Sequence, residues 1–229
     1  MLSKNPVFYL LIFSLLMGLN AFTQADSVLM LNGKVYKGEI GDTDHGNISM
    51  TMTNKKGKSA VKIIDEFRVF SYVKSGQQKI SYYQDELSGN FLTVPEAQAA
   101  AYGSYDARFT FKPRIAFWSS VLLGFGSTLF DTYLSQKAVN DPNTIYTTPG
   151  FFKKPPSVFP LLVPPMLTAI WAIPKGRVRY KHMLHHNYQG NPDYYRGYIR
   201  IARQKRMLAA LRGSAIGVAT GLLTYYIVR

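Results

Sequence analysis

The stretch NPDYYRGYIRIARQKRMLAALRGSAIGVATGLLTYYIVR, Asn191 to Arg229, has no proline after its second residue and changes character half-way. Asn191 is placed to cap a helix, Pro192 suits the first turn, and Asp193 complements the positive end of the helix dipole. Residues 194–212 carry Arg196, Arg200, Arg203 and Arg206 on neighbouring faces at spacings of three and four, whereas 213–228 is uncharged. This predicts one helix that is basic and amphipathic at first and runs into a transmembrane segment at 213–228. Gly213, Gly217 and Gly221 recur every four residues and so line one face, where a second helix can approach closely. The partner of that helix-packing seam is either residues 115–130, through Gly124 or Ser120, or the same helix of another copy.

Working outward, charge divides the chain. Residues 26–110 hold ten acidic and ten basic side chains, whereas 174–212 hold ten basic ones against the single acid Asp193. Basic loops beside apolar runs are what the positive-inside rule leaves on a cytoplasmic face. Lys175, Arg177, Arg179, Lys181, Arg196, Arg200, Arg203 and Arg206 are therefore candidate contacts for anionic lipid, and the tyrosines among them suit a headgroup layer.

Two further apolar runs precede the basic stretch. Ile115–Phe130 is uncharged over sixteen residues, about 24 Å of helix at ~1.5 Å per residue. With Asp131 at its end, 115–131 reads as a first transmembrane segment. The run 157–173 contains Pro160, Pro164 and Pro165. Each internal proline removes a backbone donor, so this piece is expected to pack against other helices or to dip into the membrane and return. A dip keeps 132–212 on one side and gives two crossings in all, with both ends of the mature chain outside. Upstream, Thr93, Pro95 and Glu96 have the spacing of a helix start with a capping box, predicting a helix from there to about Lys112, where Pro113 interrupts it. This helix and the last one echo each other: each has a cap and proline, a glycine, an Ala-Arg pair (Ala107–Arg108; Ala202–Arg203) and a small-residue-rich end.

The front of the chain has a different period. In Asn47–Thr53, Ile48, Met50 and Met52 alternate with Ser49, Thr51 and Thr53, which is the pattern of a half-buried strand. Ser27–Leu31, Lys34–Ile40, Ala60–Ile64, Phe67–Val73 and Lys79–Tyr83 supply further strands, joined by turns such as Asn32–Gly33 and Ser75–Gly76–Gln77. So many short strands in so few residues favour closure, which removes sheet edges. The fold class is α+β: a small all-β barrel at 26–90, then membrane-associated helices at 91–134 and 191–229 around the loop 135–190.

The segment Leu31-Asn32-Gly33-Lys34-Val35-Tyr36-Lys37-Gly38-Glu39-Ile40 resembles the first Sm motif, which implies an Sm-like or SH3-like barrel. Sm proteins bind RNA through an Asp and Asn in the following loop and an Arg-Gly pair in a second motif. Here Asp44-His45-Gly46-Asn47 is compressed and Glu66-Phe67-Arg68-Val69 lacks the glycine. RNA binding is not carried over, and a charge-balanced domain lacks the footprint of a nucleic-acid binder. More broadly, Gly103-Ser104-Tyr105-Asp106-Ala107 and Tyr194-Tyr195-Arg196-Gly197-Tyr198 make the layout similar to uncharacterised Bacteroidota membrane proteins with a secreted β-domain. That resemblance implies no particular activity.

Residues 1–25 read as a signal peptide: Lys4, an apolar run from Val7 to Met17, and a small-residue exit at Ala25, with Ala21 competing. Export would place the β-domain in a bacterial periplasm, tethered to the inner membrane. The chain has no cysteine, which excludes disulfides, thiolate chemistry and lipoprotein acylation. His182-Met183-Leu184-His185-His186 resembles one histidine box of the di-iron desaturases, which need at least eight histidines; this chain has four. His182, His185 and His186 stay weak metal candidates, His182 and His186 by sharing a face if the segment is helical. No catalytic constellation and no cofactor site stand out. The leading expectation is a non-enzymatic, membrane-anchored envelope protein whose β-domain binds a partner, with membrane lipids and a protein or second copy on the C-terminal helix as further partners and no nucleic acid. An oligomeric transporter or pore subunit is the alternative, and a membrane metalloenzyme the third.

Overall fold

The computed structural model describes residues 26–44, 46–54, 56–140, 157–173 and 178–228. The expected signal peptide, His45, Lys175 and Arg177 lie outside the described residues. The described chain is α+β and divides into two units, one of strands and one of helices.

The β unit holds seven strands: β1 (Ser27–Met30), β2 (Val35–Lys37), β3 (Glu39–Asp44), β4 (Asn47–Thr53), β5 (Ser59–Asp65), β6 (Val69–Lys74) and β7 (Gln77–Ile80). They form two antiparallel sheets, in the orders β2-β1-β6-β7 and β3-β4-β5. The expected closed barrel is therefore not formed. The stretch predicted as one strand over 34–40 divides at Gly38, where a Cβ would stand 2.3 Å from the Thr51 carbonyl oxygen, and its two halves pair in different sheets. The alternation in β4 is realised: Ile48 and Met50 are fully buried and join Val28, Met30, Ile40, Ile64, Val69 and Tyr72 in one apolar core. Asp26 secures the start of β1, accepting from Ile40 N (3.0 Å) and Ser75 N (2.8 Å). Those backbone donors, and Lys74 nearby, hold its carboxyl below the ordinary range.

The helical unit contains α1 (Val94–Thr110), α2 (Arg114–Asn140), α3 (Phe159–Ala172) and α4 (Pro192–Val228). Helix α1 starts as its sequence dictates, with Thr93 N–H donating to the Glu96 carboxylate at 2.8 Å. Pro113 separates α1 from α2, and Lys205 Nζ fills the gap by donating to the carbonyls of Ala107, Arg108 and Phe111 (3.2, 2.8 and 2.6 Å). On α4, Asn191 Oδ1 accepts from Asp193 N and Tyr194 N.

The α2–α4 contact is a glycine seam. A Cβ at Gly213 would stand 2.3 Å from Phe117 O, one at Gly217 2.2 Å from Val121 O, and one at Gly221 2.8 Å from the Thr128 side chain. The expected seam thus faces a helix of the same chain. Its register also sets direction: Phe117, Val121 and Thr128 ascend with Gly213, Gly217 and Gly221, so α2 and α4 run parallel. Helix α1 obeys the same sense, with Gly103 against Tyr194 O and Lys205 against Ala107–Phe111.

The Pro-rich stretch, expected to pack against other helices or to dip and return, is helical from Phe159 to Ala172. Pro160 sits in the first turn, where no donor is lost, and only Pro164 and Pro165 interrupt the interior bonding. Ser157 begins this element beside Asp131, which accepts from Ser157 N (3.0 Å) and Oγ (2.5 Å). By Val178 the chain is back against Ala107 and Tyr198, so α3 carries the return. It packs Phe159, Val163 and Leu167 on Val218 and Leu222 of α4. At about 21 Å this helix is shorter than a ~30 Å hydrocarbon core. The two-crossing expectation has α2 and α4 running in opposite senses, whereas the glycine seam sets them parallel.

Candidate functional site

The two short motifs at Gly103–Ala107 and Tyr194–Tyr198 meet. A Cβ at Gly103 would stand 2.0 Å from Tyr194 O, and one at Gly197 2.1 Å from Ala100 O, so the helices cross in reciprocal contact. This brings Asp106, fully buried on α1, against the first turn of α4 and the segment before it. Asp106 Oδ2 accepts from Tyr194 Oη (2.5 Å), Leu184 N (2.7 Å) and His185 N (3.0 Å), while Oδ1 lies 2.7 Å from His185 Nδ1. Four donors on one carboxylate satisfy a charge that would be expensive to bury alone. Burial, and then the hydrogen bond to Asp106, push the Tyr194 phenol upward, so it stays a proton donor.

Aromatic rings enclose this centre. The His185 imidazole stacks on Tyr102 (4.3 Å between centroids) and meets Tyr105 edge-on (5.7 Å), and Tyr188 stacks on Tyr194 (6.0 Å). The hydrogen bond between Nδ1 and Asp106 Oδ1 directs Nε2 away from the carboxylate. Among the described residues no hydroxyl or amine is hydrogen-bonded to Nε2, so the arrangement orients an imidazole without presenting a nucleophile to it. Its direct effect is to clamp residues 182–188 onto α1, helped by Thr110 Oγ1 donating to His182 O (2.7 Å).

The three histidines have separate fates. The segment is two 3-10 turns, Tyr180–His182 and His186–Tyr188, and not an α-helix, so His182 and His186 do not share a helical face. His186 stacks on Tyr180, and burial, then Lys181 and Arg179, lower the basicity of His182. Among the described residues no group of three or more His, Asp or Glu is placed to hold a metal ion.

The candidate lipid-contacting cations are also dispersed. Arg196 pairs with Asp193 (3.2 Å), Arg200 donates to Leu31 O (3.3 Å), Arg206 is buried, and Arg203 is exposed. Leu31–Lys34 belongs to the helical unit: Arg108 Nε donates to Asn32 O at 2.9 Å, and Gly33, at φ +73°, leaves no room for a Cβ, which would lie 2.2 Å from Tyr105 N. The glycine of the Sm-like motif therefore has a packing reason of its own.

Two clefts open on the described surface. One, of about 560 Å³ in the β unit, is lined by Asp65, Glu66, Phe67, Lys79, Tyr82 and Tyr83 among others, with Ser81 Oγ donating to Glu66 at 2.5 Å. The other, of about 510 Å³, opens at the α1–α2 break against α4. No family model, curated protein or solved structure matches this chain.

The sequence reading passed over Asp106 as a site residue. Its signal was the short motif containing it, an acid between small residues on a helix, and nothing local connects that motif to His185, 79 positions away.

Proposed function

We propose that this protein is a non-enzymatic envelope protein, anchored in the bacterial inner membrane by α2, α3 and α4, whose β unit binds a partner. One observation carries the anchor: where α2 meets α4 small and polar side chains are buried, while many large apolar side chains of α2, α3 and α4 face outward. Ser120, Thr128, Asp131, Thr132, Ala210 and Ser214 are buried, whereas Leu122, Phe130, Leu161, Ile170, Ile173 and Leu223 are each more than half exposed. Helix α4 is also long and apolar enough to cross a membrane. Small-residue interfaces with apolar perimeters are the packing that lipid permits.

The leader-like residues 1–25 support a periplasmic β unit. Because α3 returns between parallel α2 and α4, the segment 178–191 then shares that side. The opposite orientation, with the β unit in the cytoplasm, is the second reading, and the basic residues from Arg108 to Arg212 favour it.

The β unit would act through its cleft, where Phe67 and Tyr83 expose rings beside Asp65, Glu66 and Lys79, a mixture suited to a peptide segment. We read its strands as an opened SH3-like barrel, because β2 and β3 follow each other through Gly38 and β6 closes against β1. A second copy on α4 would use the outward face of Ile216, Leu223 and Ile227, since α2 fills the glycine face. Photo-crosslinking in cells tests the binding: a crosslinker at Tyr83 should give a discrete adduct that one at Lys58 does not. Identical adduct patterns, or none from Tyr83, would overturn this role for the cleft.

A further inference from the structure

We propose that the cleft at the α1–α2 break is a binding site for one anionic phospholipid, its phosphate held by Lys112, Arg114 and Arg212 and an acyl chain lying on Phe117, Trp118 and Leu208. The cleft's lining contains four cations and no acid. One cation, Lys205, is committed to the carbonyls that Pro113 leaves open at the end of α1. The other three are exposed, and among the described residues no carboxylate pairs with them. Three cations lining one cleft without a counter-charge favour an anion there. The first turn of α2, which opens at the cleft, contains no acid to offset its dipole.

The wall beside these charges is apolar and outward-facing: Trp118 is 63% and Leu208 51% exposed, and Ile115 adjoins them at 78%. A free phosphate would use the cations and leave this wall bare, whereas a phospholipid covers both. The level is also right. The charges stand where the basic half of α4 gives way to its apolar half, and a tryptophan at that level is the usual marker of a headgroup boundary. These residues differ from the cations that sequence alone nominated, several of which the fold engages elsewhere.

The site rests on the membrane reading above. Trp118 and Trp171 are the chain's two tryptophans, so in full-length Trp171→Phe protein Trp118 alone reports. The protein is reconstituted in nanodiscs of fixed anionic content, with bromine carried either on the phosphatidylglycerol or on the phosphatidylcholine. Brominated phosphatidylglycerol should quench Trp118 more strongly, and Arg114→Gln should lower that preference about fivefold, the factor equal to ~1 kcal/mol per charge at an anionic surface. Lys112→Gln, measured separately, should act in the same direction. Equal quenching by the two lipids, or a preference unchanged in both variants, overturns the site while leaving the anchor standing. Loss of the preference on adding millimolar inorganic phosphate at constant ionic strength assigns the cations to free phosphate and also overturns it. Carbonate extraction of the same preparation from cells separates the readings: recovery in the soluble fraction overturns the anchor itself and the lipid site with it.

Discussion

The two units solve opposite packing problems. In the β unit Val28, Ile48, Met50, Val69 and Phe70 are buried completely, and in β4 the polar alternates are less buried than Ile48 and Met50. In the helical unit Tyr194, Tyr198, Ile201, Val163 and Leu167 are buried too, but they share the interior with Ala99, Ala107, Gly103, Ser120, Thr128 and Asp106, while Leu122, Phe130, Leu161 and Ile170 stand outside. Water drives the first arrangement, because burying apolar area releases it from solvent at roughly 25 cal/mol per Å². In the membrane reading proposed above it does not drive the second; there, close backbone approach and satisfied polar groups supply the cohesion. On that reading the same chain is built for two solvents.

Single-cysteine labelling can break this comparison outright, since no native cysteine interferes. Probes at Ser75 and Asn187 should label from one side of the membrane and a probe at Val228 only from the other. Labelling of Ser75 and Val228 from one side and Asn187 from the opposite side would restore two antiparallel crossings and contradict the parallel glycine seam. The next largest effect belongs to Asp106→Ala. It strands Tyr194 Oη, His185 Nδ1 and two backbone donors, and should destabilise the helical unit by about 3–5 kcal/mol, read as detergent-phase thermal unfolding and as protease sensitivity within 178–191.

Equal truncations in the two units sharpen the contrast. Ile48→Ala should destabilise the β unit by about 2–5 kcal/mol, whereas Leu122→Ala, 70% exposed on the perimeter, should leave detergent-phase unfolding nearly unchanged. A comparable loss from both would mean that the helical unit has an ordinary apolar core. Glycines supply the converse pair. Gly217→Ala should cost about 1–3 kcal/mol by forcing α2 and α4 apart, while Gly126→Ala, with nothing within 4 Å of the added methyl, should be neutral or slightly stabilising.

The smallest effect concerns acid. Asp26 is held below the usual 3.8 by its two backbone donors. Its contribution is therefore fully present above that value and fades as pH falls through the lower folded-state value. Hydrogen exchange of β1 and β6 amides in the full chain should accelerate below about pH 4, and Asp26→Asn should flatten that dependence. An unchanged profile in the variant would remove Asp26 from the account.

Local physics made much of this molecule legible in its sequence. The alternation of Ile48, Met50 and Met52, the caps at Thr93 and Asn191, the break at Pro113 and the four-residue glycine spacing each depend on neighbours within a turn or two, and each has a structural counterpart. The sheet pairing at Gly38, the sense of α2 against α4 and the gathering of Asp106, His185 and Tyr194 do not. Each follows from contacts between residues distant in the chain, where the outcome is set by which surfaces fit and which buried charges find donors. A glycine ladder announces that a helix will come close. Only the assembled helices decide which one comes and in which direction it runs, because close approach along a glycine face is compatible with either sense until the remaining side chains have packed.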